Sequence, residues 1–390
     1  MLGLTQILAF GTSLYLLGVL ADFILADVGW SRAQLSFGFT LGVLVAALVS
    51  PRLGRAIHAG RGFRVLAASP FLFASGLGLM SIAGSYPFYL LAWALIGGGM
   101  ASGLYDTVFA ILGHKYGLKA RFLITTVAVL GAFASTTFWP ASAYLVGLLG
   151  WRGALQCFAL AHLVLSFPLI YFFAPRPLAP EPGQARSPKA GERPKVELHG
   201  PLRLSFYLLA TILSIEALIA GTFAIHLVAI LQALGASLSA AVAATSLIGP
   251  SQVFARLTDV ALGRFASAMS TLALSVGFLC AGIVLLSYFH TGLWLPMIVS
   301  GLGIGMSTIA RGAVPLTLFP VEGYAAIVGR MARPIHLTQA LAPYLAALIA
   351  AEGGLLRILS VLGVFSVLNL ALVVVLARVA PKAADTAAAT

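Results

Sequence analysis

Long apolar runs that are almost free of charged side chains dominate this chain and limit the folds open to it. About 20 apolar residues are enough for an α-helix to cross the ~30 Å hydrocarbon core of a bilayer. A helix also satisfies its own backbone hydrogen bonds, which lipid cannot do. Twelve runs meet this criterion, at about 3–26, 33–50, 65–83, 87–112, 122–147, 153–173, 206–231, 238–262, 268–289, 293–313, 334–351 and 355–377. The sequence therefore predicts an all-α membrane protein with twelve transmembrane helices, numbered below as spans 1 to 12.

The basic residues between these runs are concentrated on one side. Of the 23 Lys and Arg residues, 20 fall in alternate connections and tails, and the other three are Arg32, Arg152 and Arg357. Basic residues accumulate in the cytoplasmic loops of membrane proteins. We therefore expect both termini and the central loop to be cytoplasmic, in a multi-pass protein of the cell inner (plasma) membrane, surrounded by the lipid bilayer.

The composition argues against several other classes of protein. Hydrophobic residues make up 60% of the 390 residues and charged residues 9%, which is too little polar surface for a soluble domain. The net charge of +12 does not indicate nucleic-acid binding, because the basic residues are spread over short loops. No motif for a cofactor, a metal or a nucleophile with its base is evident. We expect no cofactor and no metal, and the sequence does not support a membrane-embedded enzyme or sensor.

The chain divides into two halves that carry related sequence motifs. We predict a six-helix bundle at residues 1–173 and a second, pseudo-symmetric six-helix bundle at residues 205–379. A cytoplasmic linker rich in Pro, Gly and charged residues joins them at 174–204, and a disordered tail follows at 380–390. Gly97-Gly98-Gly99-Met100 in span 4 matches Gly303-Ile304-Gly305-Met306 in span 10. Such glycines let helix backbones approach closely. Two related halves of six helices are typical of secondary transporters.

Several motifs resemble those of the major facilitator superfamily over essentially the whole chain. The stretch Gly54–Leu66 (GRAIHAGRGFRVL) lies where the family keeps a Gly-x-x-x-Asp-Arg-x-Gly-Arg-Arg loop, with His58 in place of the acidic residue. A Gly-Trp-Arg sequence that is common in the family precedes span 6. Within the superfamily, three pieces resemble the monocarboxylate and oxalate/formate porters: Gly29–Phe39, Gly97–Ala110 and Ser251–Arg256.

The resemblance implies transport by alternating access, with spans 1, 4, 7 and 10 lining a central cavity. Arg256 matches the span 8 arginine that pairs with the substrate carboxylate in monocarboxylate porters. Gln252 occupies the position of an acidic proton-coupling residue in animal members, and Tyr105 matches a tyrosine that offers its hydroxyl to the substrate. The resemblance thus implies a substrate site at these three residues. Span 11 lacks the lysine of oxalate antiporters, which makes a dicarboxylate substrate less expected.

Charges inside the apolar runs point to function independently of the family. A charge in the middle of a transmembrane helix costs about 2.5–3.5 kcal/mol, so it needs a partner or a water-filled cavity. The candidates are Asp22, Asp106, Glu216, Arg256 and Arg311. Arg256 is either an anion clamp or half of a structural ion pair with Glu216. Both hold in turn if Glu216 neutralises Arg256 in the empty site and is protonated as the anion arrives.

The other candidates have two interpretations each. Asp22 is a proton carrier facing the outer vestibule, or a polar residue at the mouth of span 1. His226 is a proton relay, or a packing residue that forms a hydrogen bond. Asp106 and Arg311 form an inner gate salt bridge that breaks when the cavity opens inward. Alternatively, they are a fixed pair at the helix ends, or the Arg311 side chain extends to the membrane interface.

These observations lead to two hypotheses about function. The first is a monomeric secondary active transporter that moves a small organic anion, a monocarboxylate, by proton symport. The alternative is an exporter that expels an amphiphilic drug or metabolite by proton antiport. The sign of the functional charges separates them, because an anion porter needs Arg256, whereas a cation exporter relies on Asp22, Asp106 and Glu216.

Overall fold

The computed structural model describes residues 1–116, 120–176, 198–262, 267–288, 292–319 and 324–380. Within these ranges all regular secondary structure is helical. Most of the predicted linker and nearly all of the predicted tail, residues 177–197 and 381–390, lie outside the described residues.

The first half of the chain forms spans 1 to 6, and several of these spans consist of more than one helix. The helices are α1 (Leu2–Gly11), α2 (Leu17–Val28), α3 (Arg32–Ala56), α4 (Gly62–Ile82), α5 (Tyr86–Gly103), α6 (Tyr105–Tyr116), α7 (Ala120–Gly131), α8 (Ala134–Ala161) and α9 (Phe167–Phe173). Span 1 consists of α1 and α2, span 4 of α5 and α6, and span 5 of α7 and the start of α8. Span 6 is the rest of α8, a π-helical turn and α9.

The second half forms spans 7 to 12 from seven described helices. They are α10 (Gly200–Ala233), α11 (Leu238–Ser246), α12 (Ile248–Leu262), α13 (Ala268–Tyr288), α14 (Trp294–Leu318), α15 (Tyr324–Gly353) and α16 (Leu355–Val379). Span 8 consists of α11 and α12, and each other span is one helix.

The described helices account for all twelve predicted spans. Among the described residues, ten segments are long and apolar enough to cross a membrane. One of them, Thr126–Phe173, has 48 residues, which is about 72 Å of helix and more than two bilayer cores. Its backbone leaves the helical conformation at Gly150 (φ 69°, ψ 173°), where spans 5 and 6 meet. Span 1, divided into α1 and α2, completes the twelve, and the all-α prediction is confirmed.

The break in span 4 is supported by a side chain of span 1. Leu104, between α5 and α6, has an extended backbone (ψ −178°). The carbonyl of Gly103 before it accepts a hydrogen bond of 2.7 Å from Nε2 of buried Gln6 in α1. A buried backbone carbonyl without a partner would cost about 1–3 kcal/mol, so Gln6 stabilises the interrupted helix.

Glycines place α14 directly against two neighbouring helices. A Cβ atom at Gly305 would lie 2.7 Å from the backbone oxygen of Gln252 in α12. A Cβ atom at Gly303 would lie 2.9 Å from the backbone oxygen of Ser275 in α13. Any larger residue would therefore push the helices apart. The close approach predicted for the span 10 glycines is confirmed.

The matching glycines of span 4 have the same role in the first half. Gly97 of α5 lies against the backbone of Gly42 in α3. A Cβ atom at Gly103 would lie 2.7 Å from the Ser69 hydroxyl in α4. Span 4 therefore packs closely against spans 2 and 3, as span 10 packs against spans 8 and 9.

The chain forms two compact units whose boundaries differ from those of the sequence halves. Unit 1 comprises Met1–Leu178, Gly221–Pro250 and Pro343–Leu356, and unit 2 is the rest of the chain. Unit 1 thus contains parts of spans 7, 8 and 11 together with the first half. The functional division into bundles at 1–173 and 205–379 stays a prediction.

We expect Gly303→Ala to destabilise the protein by roughly 1–3 kcal/mol, the usual cost of overpacking. The added methyl group would lie 2.8 Å from the backbone nitrogen of Leu279, so a backbone has to move. Gly277→Ala in α13 is the matched control, because nothing lies within 4 Å of its added Cβ atom. Thermal unfolding in detergent measures both variants, and equal melting temperatures would contradict the packing argument.

Candidate functional site

A buried carboxyl group lies where three spans of unit 2 meet. Glu216, near the middle of the 34-residue α10, is 3% exposed. Its Oε2 atom accepts a hydrogen bond of 2.6 Å from the Ser307 hydroxyl of α14. Its Oε1 atom accepts one from the Ser275 hydroxyl of α13. Each carboxyl oxygen therefore has a hydroxyl partner from a different helix.

This arrangement suits a group that gains and loses a proton. A serine hydroxyl can donate to a carboxylate or accept from a carboxylic acid, and the change requires only rotation of the hydroxyl. Arg311, one helical turn after Ser307 on α14, also acts electrostatically on Glu216. A positive charge on the same helix as Ser307 thus favours the charged form of Glu216, and both forms of the carboxyl group have hydrogen bonds.

The predicted substrate residues Arg256 and Gln252 lie together on α12. The Arg256 guanidinium is half-buried and donates from Nη2 to Oε1 of Gln252 at 3.2 Å. It also donates from Nε to the Thr308 hydroxyl of α14, again at 3.2 Å. Both acceptors are uncharged. The fork of Arg256 is therefore oriented by two neutral side chains from two helices.

Sequence reasoning missed the three hydroxyl groups that hold these charges, on Ser275, Ser307 and Thr308. A signal was present, because Ser307 and Thr308 follow the Gly-Ile-Gly-Met motif directly and precede Arg311 by one turn. Glycine contacts fix the depth at which α14 meets α12 and α13, and hence where these hydroxyls lie. In the structure, Glu216 is held by serines, and its predicted alternation with Arg256 stays a prediction.

Tyr105 anchors span 4 to span 5. Its hydroxyl donates to the backbone oxygen of Ala128 in α7 at 3.0 Å. Its ring stacks on Phe109, with 5.0 Å between ring centroids, and lies against Phe10 at 4.5 Å. These contacts belong to helix packing within unit 1, and the predicted contact of Tyr105 with substrate stays a prediction.

Asp106 and Arg311, the predicted gate pair, belong to different units. Asp106 is exposed in the first turn of α6, directly after the break at Leu104. A negative side chain in the first turn of a helix stabilises the helix, so Asp106 supports the start of α6. Arg311 is half-buried on α14, near Glu216. The gate itself stays a prediction.

Asp22 and His226, the other proton-coupling candidates, both lie in unit 1. Asp22 forms an ion pair with Arg32 at the start of α3. His226 is 0% exposed, and its Nε2 lies 2.8 Å from the backbone oxygen of Pro343 in α15. The hydrogen bond expected for a packing histidine is therefore present. No group of three or more possible metal ligands occurs among the described residues.

The family model of the Major Facilitator Superfamily matches residues 2–331. The chain therefore belongs to this superfamily and is a multi-pass membrane transporter, not an enzyme. No curated protein matches it in sequence.

Solved transporter structures share the whole fold. A bacterial homolog of the human lysosomal transporter Spinster, in an inward-facing and occupied conformation, aligns with a TM-score of 0.72 and 14% identity, over 97% of this chain and 96% of that one. The nucleoside transporter NupG aligns with a TM-score of 0.71 and 14% identity, over 97% and 98% of the two chains. At this identity the similarity shows the fold alone.

We expect Tyr105→Phe to lower stability by about 0.5–1.5 kcal/mol, because it removes one hydrogen bond between helices. Thermal unfolding in detergent measures this loss. Phe10→Leu, which keeps the hydroxyl but alters the ring contact, is the companion variant. If Tyr105→Phe instead raised the KM for substrate at unchanged stability, the hydroxyl would belong to the substrate site.

Proposed function

We propose that this transporter takes up a small organic anion, a monocarboxylate, together with a proton. One observation carries the proposal. Adjacent residues of α14, Ser307 and Thr308, bond to the buried acid Glu216 and to Arg256, respectively. A proton bound at Glu216 and an anion bound at Arg256 thus both act on the same turn of α14.

Charge balance gives the coupling a physical reason. An unpaired charge inside the membrane is costly, so a carrier crosses most easily when its charges are matched. A carboxylate bound at Arg256 neutralises the guanidinium, and a proton at Glu216 neutralises the carboxyl group. In the empty carrier, the Glu216 carboxylate supplies the negative charge instead, so the empty and the loaded carrier have the same net charge, whereas binding of the anion or the proton alone changes it by one. Anion and proton then bind, cross and leave together.

The exporter hypothesis has less support, because an arginine already acts electrostatically on two of its three acids. Asp22 is paired with Arg32, and Glu216 lies within electrostatic range of Arg311. Asp106, exposed at the start of α6, is the acid that best suits a cationic substrate. An exporter of amphiphilic cations by proton antiport is therefore the second candidate.

Side chains at the helix ends support cytoplasmic termini in an inner membrane. In unit 1, the Arg176 guanidinium lies over the rings of Phe63 and Tyr171, at 5.8 and 5.4 Å. In unit 2, the Arg203 guanidinium lies over the Tyr207 ring at 5.9 Å. In the predicted topology, each of these contacts lies at a span end that faces the same side of the membrane as the termini. Basic residues beside aromatic rings are typical of the cytoplasmic bilayer interface.

Gradient-driven uptake by Arg256→Gln tests the anion site. Purified protein is reconstituted in liposomes with an inward proton gradient, and uptake of labelled carboxylates of two to six carbons is measured. Loss of a charged hydrogen bond costs about 1.5–3 kcal/mol, so we expect roughly 10–100-fold lower uptake below saturation. Arg357→Gln, which removes an exposed arginine of α16, is the control and should leave uptake unchanged.

Two outcomes would contradict the anion proposal. One is undiminished carboxylate uptake by Arg256→Gln. The other is transport of lipophilic cations, driven by an opposite proton gradient, without uptake of any carboxylate. The second outcome would support the exporter and direct attention to Asp106.

Glu216→Gln tests the proton site separately from the anion site. The amide keeps the shape and hydrogen bonds of a protonated carboxyl group but cannot release a proton. We expect exchange of labelled for unlabelled substrate to persist while proton-driven accumulation is lost. Glu352→Gln, at the exposed end of α15, is the control. Accumulation by Glu216→Gln that still follows the proton gradient would exclude Glu216 as the coupling residue.

A further inference from the structure

Parts of spans 7 and 8 pack onto the first half within unit 1, at very short distances. A Cβ atom at Gly249 of α12 would lie 2.9 Å from the backbone oxygen of Ala132. A Cβ atom at Gly18 of α2 would lie 3.1 Å from the backbone oxygen of Ala224 in α10. We call this layer of contacts the far-side closure. It lies within the end of unit 1 where residues 29–31 join spans 1 and 2.

Two further contacts complete the far-side closure. The Thr136 hydroxyl of α8 donates to the backbone oxygen of Ser246 in α11 at 2.8 Å. The ring of Phe37 in α3 meets the ring of Tyr344 in α15 edge-on, with 5.6 Å between centroids. Spans 7, 8 and 11 thus each contact the first half here. A transporter that works by alternating access has to separate these contacts to open this side.

His226 lies inside the far-side closure with one ring nitrogen unused. It is completely buried, and Nε2 carries the hydrogen, because it faces the backbone oxygen of Pro343. Nδ1 is then a bare acceptor, and it is buried without a hydrogen-bond partner. A buried acceptor without a partner is rare and costly in proteins. A proton from solution would bind at this atom.

The charges around His226 balance only while the imidazole is neutral. Asp22 and Arg32 form an ion pair, and both act electrostatically on His226. They are the charged groups shown to do so within the described part of the chain. Nη1 of Arg32 is buried and makes no hydrogen bond. A second positive charge on His226 would leave this layer with a net charge of +1 and little water to solvate it.

We propose that His226 is a second proton-binding site and that its protonation opens the far-side closure. The charged imidazole needs water, which separation of α11 and α12 from α8 would admit. Asp22, which is about half exposed, offers protons from solution a path to the layer. This inference deepens the proposed function by placing a proton site on the side from which protons arrive. It rests on that function only in taking the proton as the coupling ion.

The test measures the accessibility of the closure and needs no substrate. Thr245→Cys places a thiol at a completely buried position of α11, where the native hydroxyl bonds only within its own helix. Both native cysteines, Cys157 and Cys280, are replaced by serine. Protein in liposomes is treated with a membrane-impermeant thiol reagent between about pH 5 and pH 8, the range in which histidines titrate.

Two controls make the labelling rates interpretable. Ser239→Cys, exposed in the first turn of α11, corrects for the pH dependence of the thiol reaction itself. His226→Gln keeps an N–H group for the Pro343 oxygen but has no group that titrates in this range.

Asp22→Asn leaves Arg32 without its counter-charge and should open the closure already at neutral pH.

We expect the relative labelling rate of Thr245→Cys to rise at least tenfold from pH 8 to pH 5. The rise should disappear in His226→Gln. A rate that does not change with pH, or a rise that persists in His226→Gln, would overturn the proposal. Failure of carboxylate uptake with intact pH-dependent labelling would count against the proposed substrate alone, so the two ideas fail separately.

Discussion

Each polar group buried between the helices needs a partner within the protein, because lipid offers none. Burial of a charged group in the membrane costs the most free energy, and the described spans lower this cost in different ways. Glu216 receives hydroxyls from two helices, Arg256 donates to Gln252 and Thr308, and Asp22 pairs with Arg32. Every one of these bonds except Arg256–Gln252 joins two different spans. The groups proposed to carry transport therefore also hold the helices in register.

Close helix packing makes this register precise. Gly303 and Gly305 let α14 approach α13 and α12 until backbone atoms nearly touch. Two and three residues after Gly305, Ser307 and Thr308 then reach Glu216 and Arg256 with short side chains. A serine has little reach, so a shift of one helix by an ångström would break the bond to Glu216. The geometry of this candidate site therefore depends on the glycines that set the helix contacts.

The sequence predicted the large features because they follow from single-residue properties. Hydropathy located all twelve spans, and the Gly-Ile-Gly-Met motif indicated the close contacts of α14. What it missed depends on tertiary contacts. The breaks at Leu104 and within span 1 have no proline, and Gln6 compensates one of them from a different helix. Likewise, the sequence marked Arg32 only as one of three basic residues outside the main basic connections, and its pairing with Asp22 requires spans 1 and 2 to lie side by side.

The two proton-binding candidates differ in the way that alternating access requires. Glu216 carries charge when it is deprotonated and is satisfied by hydroxyls in either state, so protonation there changes charge with little movement. His226 is neutral when it is deprotonated. Its buried Nδ1 has no neighbouring acceptor for the hydrogen bond that the N–H group would donate after protonation. Protonation there cannot be accommodated without rearrangement. One site is thus suited to carrying a proton, and the other to converting its arrival into motion.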